Sequence, residues 1–136
     1  MNRQARWTLL IVLLTTFLTG LAVPGWAGDV TVDAVIAAQY PFGFFIALVY
    51  AHGTDELLDV QLVANDLPIV PDKVEAFSVD YANNATLWKI VKFAKDVVKP
   101  GDTLTAVVTD VQGGTGLGTA ACGSGQAGWW RITVCR

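Results

Sequence analysis

From Val30 to the C-terminus, apolar residues recur at every second position more often than at helical spacing, and they are largely Val, Ile, Phe and Trp. Period two sends alternate side chains to opposite faces of a pleated strand, so the pattern confines this part of the chain to sheet structure. Val30, Val32, Ala34 and Ile36 alternate as a first strand, and Tyr40, Pro41, Phe42 and Gly43 then turn the chain. Phe44 to Tyr50 is apolar without a break, which predicts a strand covered on both faces. After the turn at His52 to Glu56, Leu58, Val60, Leu62 and Ala64 alternate as a third strand, which Asn65, Asp66 and Pro68 end. Pro68 and Pro71 confine Ile69 and Val70 to an edge strand or an extended connection, because proline has no backbone donor.

Val74 to Tyr81 alternates again, and the face carrying Phe77, Val79 and Tyr81 is the expected core face. Residues 86 to 98 allow two readings. Ile90, Phe93, Ala94, Val97 and Val98 fall at helical spacing, while Trp88, Ile90, Val91 and Phe93 prefer a pleated surface. The expected form is a strand from Leu87 to Phe93 followed by one helical turn through Asp96. Lys99 to Asp102 form a turn, and Leu104, Ala106 and Val108 alternate with threonines as a further strand. Gly113 to Gly128 holds seven glycines, which predicts a long loop because each glycine costs backbone entropy to fix. Trp129 to Cys135 closes the chain as a last strand.

Six or seven short strands joined by turns rich in Gly, Pro, Asn and Asp imply an all-β domain, an antiparallel sandwich. Lys99-Pro-Gly-Asp-Thr-Leu-Thr-Ala-Val-Val-Thr-Asp110 resembles the penultimate strand of bacterial immunoglobulin-like or fibronectin-type domains, where a proline-glycine-acid turn leads into alternating Thr and aliphatic residues. The resemblance covers about a tenth of the chain and implies an immunoglobulin-like sandwich, without implying an activity. Cys122 and Cys135 depart from the immunoglobulin pattern, in which the two cysteines join the two sheets.

The first 27 residues differ in composition from the rest. Arg3 and Arg6 precede an apolar run from Leu9 to Leu18, and Gly25 and Ala27 supply small residues before a cut, which is the layout of a cleaved signal peptide. The alternative is an anchor, since Trp7 to Val23 reaches the lower limit of a membrane span. Residues 1–27 are therefore read as signal peptide and residues 28–136 as one exported domain, in the periplasm, at the cell surface or outside the cell. The mature chain keeps seven basic and twelve acidic residues, so nucleic acid is not the expected partner. In an oxidising compartment an even pair of cysteines is expected to bridge, so Cys122 and Cys135 are assigned to a structural disulfide that ties the last loop.

Little catalytic chemistry is present. His52 is the single histidine; beside Asp55 and Glu56 it could act as a base, but an ordinary turn histidine is the simpler account, and no enzyme is expected. Asp55, Glu56, Asp59, Asp66, Asp72 and Glu75 follow no calcium-loop spacing, and Gly113, Gly114, Gly116 and Gly118 lack the strand and helix of a phosphate loop, so no metal or cofactor is assigned. Trp129 and Trp130 are adjacent in an expected strand and cannot both face the core. The outward indole beside Arg131, near the aromatics from Tyr40 to Phe45, suits stacking on a saccharide or contact with a protein surface. Trp129, Trp130 and Arg131 are therefore the candidate binding residues. The function expected is a binding or adhesion module; the alternative is a structural subunit of a surface assembly that pairs through strand edges.

Overall fold

A computed structural model describes residues 29–136, and the expected signal peptide at residues 1–27 lies outside the described residues. The described chain is all-β, with no helix and nine antiparallel strands: β1 (Val30–Tyr40), β2 (Phe44–Gly53), β3 (Leu57–Ala64), β4 (Leu67–Ile69), β5 (Lys73–Asp80), β6 (Ala85–Lys92), β7 (Thr103–Asp110), β8 (Thr115–Ala127) and β9 (Trp130–Cys135). They pair in the order β4-β3-β7-β8-β9-β1-β2-β6-β5. Strand β8 serves two neighbours in turn, since Thr115 to Ala121 pair with β7 and Cys122 to Ala127 with β9. The sheet therefore folds back on itself at β8. Val35, Ala37, Phe45, Val49, Trp88 and Ile90 from one part pack with Val60, Leu62, Leu104, Ala106 and Val108 from the other.

The turns follow from their residues. Asn65 and Asp66 both have positive φ and form the two-residue link between β3 and β4, a conformation that Asn and Asp tolerate better than other side chains. Between β1 and β2, Gly43 at φ 92° closes a three-residue link, and its N–H donates to Tyr40 O.

Nine strands stand among the described residues where six or seven were expected, since the glycine-rich stretch is a strand and the segment around Pro68 pairs as a short edge strand, and three further expectations change. Gly113 to Gly128 is not a loop, because most of it is strand β8. The start of β1 crosses directly over β8, and a Cβ at Gly116 would lie 2.5 Å from the Val30 carbonyl oxygen, while one at Gly118 would lie 2.4 Å from Val32 Cγ1. The glycines thus admit a neighbouring strand, which offsets their entropic cost. Secondly, Phe77, Val79 and Tyr81 are not core: β5 is an edge strand exposed at all eight positions, and Tyr81 is 84% exposed. Alternation identifies two faces but not whether a second layer covers either of them. Thirdly, no helical turn follows β6; the residues from Phe93 to Asp102 form an irregular connection.

The disulfide Cys122–Cys135 is present and joins residues directly opposite each other in the β8–β9 ladder. It therefore staples a hairpin at the point where β8 changes partners, not a loop. Both cysteines are buried in the core.

Candidate functional site

The site is built outward from the β1–β2 turn. Phe45 is fully buried, so its neighbour Phe44 points to the opposite, outer face. Tyr40 is the register partner of Phe44 and shares that face, with ring centroids 5.9 Å apart. Phe42 rides on the turn between them, 5.4 Å from Tyr40 and 6.4 Å from Phe44. Phe45 pairs with Lys92, which sets Phe93 beside Phe44 at 5.9 Å. On the other flank, β9 runs antiparallel to β1 with Thr133 opposite Gln39. The first residues of β9 therefore reach the turn, where Trp130 meets Phe42 edge-on at 5.7 Å.

The result is a continuous row, Phe93–Phe44–Tyr40–Phe42–Trp130, drawn from three separate segments of the chain. Edge-on and tilted contacts of this kind suit the charge distribution of aromatic rings. Phe42, Phe93 and Trp130 are 59%, 67% and 52% exposed, so the row faces solvent. It continues into the outer face of β1 and β2, where Ile36 and Tyr50 are exposed and Ala38, Ile46 and Leu48 are half-buried. The expected cover on both faces of Phe44 to Tyr50 is thus found on one face only among the described residues.

Neither tryptophan of the pair packs in the core. Trp129 lies in the two-residue link between β8 and β9, not in a strand, and is fully exposed. Gly128 precedes it with φ 60°, the conformation required at the first position of a type II′ turn. Trp129 stands at the hairpin tip, Trp130 joins the aromatic row, and Arg131 is exposed beside them.

Behind the row lies a polar anchor. Gln39 is buried, and its Nε2 donates to the carbonyls of Tyr40, Phe44 and Ala94 at 3.0, 3.3 and 2.9 Å, while its Oε1 accepts the Val97 N–H at 2.8 Å. This one side chain ties the β6–β7 connection to the β1–β2 hairpin and so fixes Phe93, Lys95 and Asp96 against the row. A cleft of about 390 Å³ opens there, lined by Tyr40, Lys95, Asp96, Arg131 and Thr133 among others. A neighbouring cleft of about 570 Å³ shares Lys95 and Asp96 and extends towards β4.

The other singled-out residues lie elsewhere. His52 does not engage Asp55 or Glu56; its Nδ1 is 2.7 Å from Asp33 Oδ2, two positions along β1 from its register partner Thr31. Both side chains are partly exposed. Among the described residues, no three His, Cys, Asp or Glu side chains gather where a metal ion could be held. Asp110 is buried and caps its turn, accepting the Gln112 and Gly114 N–H groups.

Sequence reasoning located Trp130, Arg131 and the Tyr40–Phe45 aromatics but missed Phe93, Lys95 and Gln39. Phe93 fits a core position at helical spacing, and nothing in the sequence marks a glutamine whose partner is 58 residues away. No family model, curated protein or solved structure matches the chain.

Proposed function

We propose that this is a small exported binding or adhesion module, which engages a saccharide or protein surface through the aromatic row together with Trp129 and Arg131. The row itself carries the reading. Core packing does not require five rings from three segments to meet at the surface, and rigid rings give large contact area for little lost entropy. The immunoglobulin-like sandwich is part of this proposal. In support, the pairing orders β1-β2-β6-β5 and β4-β3-β7-β8 correspond to the ABED and C′CFG sheets of that fold, with β9 as an addition beside β1. The Cys122–Cys135 bridge is compatible with export, since disulfides persist in oxidising compartments.

The test is a glycan array and a cell-surface binding assay with the native protein and Trp130→Ala. Binding should weaken by about 2 kcal/mol while the melting temperature holds, as for an aromatic contact residue. Equal binding by both proteins rejects the aromatic surface.

A second reading, a subunit that pairs through strand edges, is favoured by one observation: among the described residues β5 pairs with β6 alone, which leaves its other edge without a strand partner there. Against it, the ladder shifts register at Phe77, and Lys73, Glu75 and Asp80 charge the strand, features that oppose edge-to-edge pairing. Sedimentation velocity separates the two readings, since an edge-pairing subunit self-associates or needs a strand donor.

A further inference from the structure

One end of this acidic molecule carries acids alone, whereas the end with the aromatic row carries both signs, with Asp66, Asp72, Asp96 and Asp102 among its cations. Asp29, Asp33, Asp55, Glu56, Asp80 and Asp110 lie at or near the end opposite the aromatic row, and no Lys or Arg of the described residues accompanies them. Lys92, Lys95, Lys99 and Arg131 instead line the two clefts beside the row. The carboxylates in those clefts are Asp96 and Asp102. Asp102 accepts from Asn65 Nδ2 at 2.7 Å and from the Lys99 N–H at 2.9 Å, neutral donors that orient the carboxylate without cancelling its charge, so the clefts hold four cations against two acids. Among the described residues the close contacts between basic and acidic side chains are His52–Asp33 and Lys89–Glu75, so none of the four cleft cations sits in an ion pair. Lys92 donates to the Val70 carbonyl, which orients its ammonium without cancelling the charge.

The geometry favours a fixed arrangement. A Cβ at Gly43 would sit 3.7 Å from Lys95 Cγ, so the Lys95 stem lies against the turn that carries Phe42. Gln39 holds Ala94 and Val97 on either side of Lys95 and Asp96. Because the clefts share Lys95 and Asp96, they form one trough that passes from β4 to Arg131, with Tyr40 the one ring of the row in its lining. A trough that sets cations beside an aromatic wall matches a linear chain of sugar rings that carry carboxylates. A ring face meets Tyr40, and the acid groups meet Lys95 and Arg131. Neutral sugars would leave the cations without partners, and a compact anion would leave the rings unused.

Resting on the binding-module reading, we propose that the ligand of this end is an acidic, carboxylate-bearing glycan. The experiment is calorimetry on the full chain as recovered after export, with three probes: polygalacturonate oligosaccharides, their methyl esters, and vesicles of phosphatidylcholine with phosphatidylglycerol. The free acid should bind about fivefold tighter than the ester, from two partly exposed charge contacts, and added salt should erase the difference. Lys95→Gln and Arg131→Gln, which keep the side-chain stems, should each weaken the acid by about threefold and leave the ester unchanged. Asp96→Asn should tighten the acid by about twofold and tolerates the positive φ at that position. Equal affinity for acid and ester overturns the charge assignment and leaves the aromatic module standing. Binding to neither, by protein that melts as a folded domain, overturns the saccharide reading as well. Tighter binding to the anionic vesicles than to the glycan overturns the proposal in favour of a lipid surface.

Discussion

Gln39→Leu removes a single amide from the interior and should loosen the aromatic end from behind. Four hydrogen bonds are lost, but they are not equivalent. Tyr40 O keeps the Gly43 N–H as a donor, and Phe44 O lies in the β1–β2 ladder. The Ala94 carbonyl and the Val97 N–H lie outside any strand and have Gln39 as their partner. Each half-buried backbone group left without a partner costs about 1 to 1.5 kcal/mol, so a loss of about 2 to 3 kcal/mol is expected. For a domain of this size that lowers the melting temperature by roughly 10 °C. Thermal unfolding followed by circular dichroism measures the loss, and hydrogen exchange at the Val97 amide locates it. A melting temperature within about 2 °C of the native protein, with Val97 still protected, refutes the anchoring role. Gln39→Glu supplies an independent check through pH. Its carboxyl would face the three carbonyls, which only the protonated form can satisfy, so its folded pKa is raised above the unfolded value. The variant should therefore approach native stability below about pH 4.3 and lose it as pH rises through the folded pKa.

Gly118→Val should cost at least about 2 kcal/mol by driving a side chain into Val32, whereas Gly123→Ala, where a Cβ meets nothing within 4 Å, should be near neutral; urea unfolding distinguishes them. Replacing both cysteines by serine should lose about 3 kcal/mol of stability, and a loss below 1 would mean that the hairpin needs no staple. Trp129→Ala should leave the melting temperature unchanged, while Phe45→Ala, at a fully buried position, should cost about 3 to 5 kcal/mol. The Asn83 hydrogen bond holds the exposed Asp80 carboxyl below its ordinary pKa. Asn83→Ala should therefore be slightly less stable at neutral pH, with the difference vanishing as acid protonates Asp80, and a difference that persists in acid contradicts this account.

Local chemistry in the sequence determined much of this protein. Period-two alternation marked β1, β3 and β7, and an unbroken apolar run marked β2, because strand geometry acts between a residue and its immediate neighbours. Asn65-Asp66 and Pro41-Phe42-Gly43 marked their turns for the same reason, and the even cysteine count marked the bridge. The tryptophan pair and the Tyr40–Phe45 aromatics were legible as candidates by residue type alone. What the sequence left open depends on which strands meet. Gly116 and Gly118 read as loop residues until β1 is laid across them, and Phe77 reads as core until β5 proves to be an edge. The aromatic row has the same origin. Phe93, Phe44 and Trp130 become neighbours through the β2–β6 and β1–β9 registers, and Lys95 joins them through Gln39. Each of these contacts spans tens of residues in the chain, and loop closure over that distance leaves no periodic trace in sequence, so the tertiary fold alone decided which side chains make the site.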